Sequence, residues 1–107
     1  MKKLILSNAA EREFKSLPQR IQQRFALDLQ AICKGSNPFS KVKPLSSIGP
    51  GVIELKVNGR PAFRCVCVTK NDTEVYVLHL FKKTTNGVDR PAMELAEKRY
   101  KDIKKLL

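Results

Sequence analysis

Three short strand-like runs between Gly51 and Thr84 constrain this chain more than anything else in it. They are Val52–Val57, Ala62–Val68 and Glu74–Lys82, each rich in β-branched and aromatic residues and bounded by Asn, Gly, Asp and Pro. Asn58-Gly59 and Asn71-Asp72 mark tight turns between them. Side chains alternate between the two faces of a strand. A two-residue Asn71-Asp72 loop would set Arg64 opposite His79. Arg64, Val66 and Val68 would then share a face with Val75, Val77, His79, Phe81 and Lys83. Phe63, Cys65 and Cys67 would share the other, core face with Tyr76, Leu78 and Leu80. A three-residue loop ending at Arg60 suits the first hairpin better than a two-residue one. It places Ile53, Leu55 and Val57 on the core face, and Pro61 fits a strand start better than a strand interior. Glu54 then faces Arg64, and one open face carries Glu54, Lys56, Arg64, His79 and Lys83.

The rest of the chain supplies helices for that core. Lys3–Ser7 reads as an edge strand. Asn8, with Glu11 three residues on, reads as a capping box. Ala10, Phe14 and Leu17 fall at helical spacing, and Pro18 ends or kinks that helix. A second helix from about Gln19 carries Ile21, Phe25, Leu29, Ile32 and Cys33 on one stripe and Asp28 among its polar residues, with Gly35 as its C-cap. Residues 35–51 hold glycines, prolines and serines and read as a loop carrying Lys41 and Lys43, long enough to favour a functional role. From Asp89 a last helix runs to the end, with Pro91 in its first turn, acidic residues early and lysines late. The expected fold class is α+β: one domain over residues 1–107, an antiparallel sheet with an N-terminal helical hairpin and a C-terminal helix on one face.

Composition narrows the function. Twenty-one Lys and Arg against 10 Asp and Glu give a net charge of +11, a strong bias toward a polyanion. No apolar run is long enough for a membrane span, and no lipidation motif favours a membrane surface, so nucleic acid is the better partner. The apolar start is cut by Ser7 and Asn8, short of a signal peptide. Cys33, Cys65 and Cys67 are odd in number, lack Cys-x-x-Cys spacing and read as buried apolar residues, which points to a reducing cytoplasm. One histidine and scattered carboxylates build no metal site, no glycine-rich phosphate loop is present, and no cofactor is expected.

What remains is the basic open face. Arg64 sits between Phe63 and Cys65 in a central strand, where a guanidinium can hold a phosphate by two points, or pair structurally with Glu54. His79 lies in an apolar strand beside it and is either hydrogen-bonded or catalytic. Of Lys82 and Lys83, one must project onto the Arg64 face. Such a group suits phosphodiester cleavage without metal: a base removes the proton of an RNA 2′-hydroxyl, cations stabilise the phosphorane, and an acid protonates the leaving oxygen.

Gly51-Val52-Ile53-Glu54-Leu55-Lys56, Phe63-Arg64, Leu78-His79-Leu80-Phe81-Lys82-Lys83-Thr84, Pro91 and Glu94–Arg99 together resemble the HigB-like branch of the RelE toxin superfamily, of the phage-derived addiction-module type. Leu17-Pro18, Gly35 and Val42–Leu45 fit the same pattern, so the resemblance covers nearly the whole chain. It implies a type II toxin that cleaves mRNA in the ribosomal A site, with the ribosome and a cognate helix-turn-helix antitoxin as partners. Arg64 would stabilise the transition state, and Lys82 or Lys83 would be phosphate ligand or base. Lys56 stands where the family often has arginine, so two-point phosphate binding there is lost. His79 matches a motif position of varying role. Glu54, Lys41 and Lys43 complete the expected RNA-binding set. The alternative is a basic RNA- or ribosome-binding module without chemistry.

Overall fold

The central strands carry apolar side chains on both faces, and a sheet of that kind needs cover on both sides. The computed structural model, which describes residues 1–107, meets that need with three layers. Strand β1 (Lys3–Leu6) leads into helices α1 (Asn8–Ser16) and α2 (Gln19–Cys33). Strands β2 (Lys41–Pro44), β3 (Val52–Val57), β4 (Ala62–Val68) and β5 (Glu74–Lys83) follow, then helix α3 (Arg90–Ile103) and a final 3₁₀ turn. The sheet order is β1-β5-β4-β3-β2.

The α1–α2 hairpin covers one face, where Ile21, Phe25 and Leu29 pack on Leu55, Phe63, Cys65, Cys67, Val75, Val77 and Leu80. The opposite face is covered by α3, through Ala96 and Tyr100 on Val52, Val66, Val68, Tyr76 and Leu78. The expectation that all helices lie on one face is therefore corrected. Val66 and Val68 are fully buried under α3, and an apolar face of that extent cannot stay open to water. The sheet is also mixed rather than antiparallel. The crossover through the hairpin brings β1 parallel to β5, while the other three pairings are antiparallel.

Two register details move residues from their expected places. In the first hairpin Lys56, not Glu54, lies opposite Arg64. The shift is by two residues, so the faces are unchanged: Ile53, Leu55 and Val57 pack on the hairpin side, and Glu54, Lys56 and Arg64 share the other. In the second hairpin Val66 pairs with His79 but Cys67 pairs with Val77, leaving Leu78 as an extra residue. This bulge inverts the alternation beyond it. Tyr76 and Leu78 join the α3 side and Val75 and Val77 the hairpin side, the reverse of the expectation from strict alternation.

Residues 41–44, expected to be loop, form edge strand β2 on β3. Asp28 makes this possible. It is fully buried in α2 rather than solvated, and its Oδ1 accepts hydrogen bonds from Phe39 N at 2.8 Å and Ser40 N at 3.1 Å, while its Oδ2 accepts from the Ser40 hydroxyl. Those bonds pin the chain as it enters β2. Pro44 is tolerated because β2 is an edge. The cap of α1 is Ser7, whose Oγ accepts from Ala10 N at 3.1 Å, one residue before the expected Asn8. Asp89 caps α3 by accepting from Ala92 N. All three cysteines are free and buried, and burial pushes the Cys67 thiol up to about 12.

Candidate phosphate-binding cleft and the edge of β5

At the end of the sheet where β5 leaves it, the α3 face opens into a cleft of about 610 Å³. Its floor is β3, β4 and the last residue of β5. One wall is the segment from Lys43 to Ser47, and the other is Gly87–Asp89 with Met93 from the start of α3. Four cations line it, Lys43, Lys56, Arg64 and Lys83, against two carboxylates, Glu54 and Asp89. Asp89 is engaged as the helix cap.

Strand parity explains why these residues meet. Lys43 lies opposite Glu54 and Lys56 opposite Arg64, so all four point to one side across three adjacent strands. Lys83 lies opposite Ala62, two residues along β4 from Arg64, on the same side. Arg64 is only 6 % exposed. Its Nη1 donates to Phe63 O at 3.0 Å, its Nε lies 3.9 Å from Glu54 Oε1, and that Nε, fully buried, has no hydrogen-bond partner. A buried unpartnered donor is costly, on the order of 1–3 kcal/mol. The protein holds this guanidinium, ion-paired with Glu54, at the floor of a basic cleft. An oxyanion is the chemical group that fits it.

The remaining expected site residues do not join the cleft. Lys41 lies opposite Lys56 on the same face, but at the exposed sheet edge outside the lining. Lys82 points to the other side of the sheet, toward Leu17, Pro18 and Phe63. His79, expected on an open face beside Arg64, is buried at the bulge and stacked on Phe81 with ring centroids 4.7 Å apart. Its Nδ1 lies 3.0 Å from Glu13 Oε1, and since a carboxylate only accepts, Nδ1 carries the proton in that bond.

Glu13 belongs to a network that sequence reasoning missed. Strand β1 ends at Leu6, opposite Val77, and from there the outer edge of β5 has no strand partner. Side chains take over. Arg99 Nη1 donates to Leu78 O at 2.9 Å and Leu80 N donates to Glu13 Oε1 at 3.2 Å. Arg99 Nη1 also sits 2.9 Å from both Glu13 oxygens. Burial alone pushes the Glu13 carboxyl up, but the hydrogen bonds from Arg99, His79 and Leu80 N–H and the charge of His79 outweigh it and hold it below its ordinary value. Nothing local marks these residues, because Glu13 on α1 and Arg99 on α3 meet only through the fold.

No three His, Cys, Asp or Glu side chains gather in a way that would hold a metal ion, and no helix is long and apolar enough to cross a membrane. The profile of the family described as Phage derived protein Gp49-like (DUF891) matches residues 12–101, from α1 to the end of α3 and so across the whole cleft. No curated protein matches the chain.

Proposed function

The chain belongs to the phage-derived Gp49-like family, which is associated with the toxins of toxin–antitoxin systems, and from that premise we propose that it is the toxin of a type II pair, of the HigB-like RelE kind, acting in the cytoplasm as a ribosome-dependent endoribonuclease. Its substrate is mRNA in the ribosomal A site, and its inhibitor is a cognate helix-turn-helix antitoxin. The observation that carries this reading is the convergence of Lys43, Lys56 and Lys83 on Arg64 in one cleft, with Glu54 beside the guanidinium. The net charge of +11 adds attraction to ribosomal RNA.

The reaction assigned to the cleft is transfer within the RNA. The 2′-oxygen bonds to the adjacent phosphorus, the bond to the 5′-oxygen breaks, and a 2′,3′-cyclic phosphate and a 5′-hydroxyl result. Arg64 and Lys56 hold the non-bridging oxygens, whose charge grows in the phosphorane. Glu54, beside Arg64, accepts the 2′-hydroxyl proton. Lys83 gives a proton to the leaving oxygen. Lys43 binds the flanking backbone.

Toeprinting on translating ribosomes tests the reading. Wild type generates mRNA ends at the A-site codon, and Arg64→Ala lowers the rate by at least about 10²-fold, the scale for losing one preorganised oxyanion donor. Arg64→Lys, which keeps the charge but not the planar fork, stays well below wild type. Wild type that binds ribosomes and leaves mRNA intact overturns the nuclease and leaves a basic binding module.

A further inference from the structure

Lys83 lines the catalytic cleft and also a second groove of about 450 Å³ on its far side. That groove runs between the β3–β4 loop and the β5–α3 loop, and its polar lining is Arg60, Lys83, Thr84, Thr85 and Asn86, with no carboxylate. The Lys83 ammonium is fixed at the boundary, donating to Thr85 O at 2.9 Å. An ammonium has three donors, so two remain for a ligand passing over it. Resting on the reading of the first cleft as a phosphate site, we infer that the second groove is a subsite for the neighbouring nucleotide of a single-stranded RNA. In it Arg60 contacts the next phosphate, and the Thr84 and Thr85 hydroxyls and the Asn86 amide face the ribose and base. The two grooves with Lys83 between them form one track, and the second half carries two cations and no carboxylate beside Gly59, Pro61 and Ala62. It suits a backbone crossed by its phosphates better than an apolar partner.

Binding of non-cleavable 2′-O-methyl RNA separates this subsite from the chemistry. A hexanucleotide and a dinucleotide are titrated against the full chain between about 50 and 200 mM salt. Arg60→Ala is expected to weaken the hexanucleotide about two- to fivefold, the scale of an exposed ion pair. It also makes the slope of log affinity against log salt shallower by about 0.7, as for one lost phosphate contact on a single strand. The dinucleotide is unaffected, and Arg60→Lys restores the slope. Arg60 is exposed in a loop, so the variant keeps the fold. A hexanucleotide that Arg60→Ala binds with wild-type affinity and slope, or that wild type does not bind, overturns the subsite. The nuclease reading stands or falls separately, on whether toeprinting shows cleavage.

Discussion

Glu13 and Arg99 meet at 2.9 Å around the edge of the sheet, one from a helix on each face. Their ion pair replaces a missing strand: β1 stops opposite Val77, and the pair takes up Leu78 O and Leu80 N. It fastens α3 to β5 a few residues before Lys83 enters the cleft. Glu13→Ala leaves the His79 Nδ1–H and the Leu80 N–H without their acceptor and the Arg99 guanidinium with Leu78 O alone. We expect it to cost about 1–3 kcal/mol, the penalty for leaving such donors unsatisfied. Urea denaturation reads this as a lower midpoint with an unchanged slope.

The same carboxylate gives stability a pH dependence. Arg99 from α3 and His79 and Leu80 N–H from β5 face it, and together they hold it below the ordinary 4.5. A group whose folded pKa is depressed adds stability that is fully present above its unfolded value and disappears as pH falls through the folded value. The Glu13 contribution is thus complete above about pH 4.5 and is lost below it. Glu13→Gln, which cannot ionise, should show a flatter acid limb when unfolding is followed from about pH 6 down to pH 3. A limb as steep as wild type would place the acid sensitivity elsewhere.

Most of the cleft floor was legible in the sequence because it depends on local alternation. Glu54, Lys56 and Arg64 stay on one face whether the first hairpin pairs as expected or slips by two. The bulge at Leu78 was not legible, since no glycine or turn residue marks it, and it alone decides that Tyr76 and Leu78 face α3. The placement of α3 follows from Val66 and Val68, whose burial conflicts with the basic residues that share their face. Parity placed them together, but only the fold shows that α3 covers one end of that face and leaves the other as the cleft. Strand β2 was hidden by Pro44 and by a buried Asp28 that looks like any polar helix residue. Glu13 had no sequence signal, and Arg99 only its place in the Glu94–Arg99 stretch, because charges at helical spacing ordinarily face water.

Lys82 and Lys83 are adjacent in sequence and on opposite faces of the sheet. Lys83 lines the cleft, while Lys82 is exposed beside Pro18 and Phe63. If the cleft is where mRNA is cut, Lys83→Ala should lose at least about tenfold more cleavage than Lys82→Ala, since only Lys83 contacts the reacting phosphate. Both substitutions remove one positive charge, so general attraction to RNA falls equally and cancels in the comparison. Equal losses on translating ribosomes would assign Lys83 to charge alone.

Gly49 sets how closely α3 approaches the β2–β3 connection. A Cβ there would fall 2.4 Å from Tyr100 Cζ and 2.6 Å from its hydroxyl oxygen. The Tyr100 ring is buried against Leu45, Val52 and Val68, so it cannot swing away without opening that core. Gly49→Ala should therefore destabilise by about 1–3 kcal/mol, as overpacking does, measured by denaturant unfolding. Leu45 and Met93 stand in the walls of the cleft and also in this core, so a shift of α3 should widen the cleft as well. Tyr100→Phe combined with Gly49→Ala removes only the hydroxyl clash and leaves the ring carbons in the way. The double variant should regain part of the stability and no more. Full recovery would show that the hydroxyl alone sets the spacing.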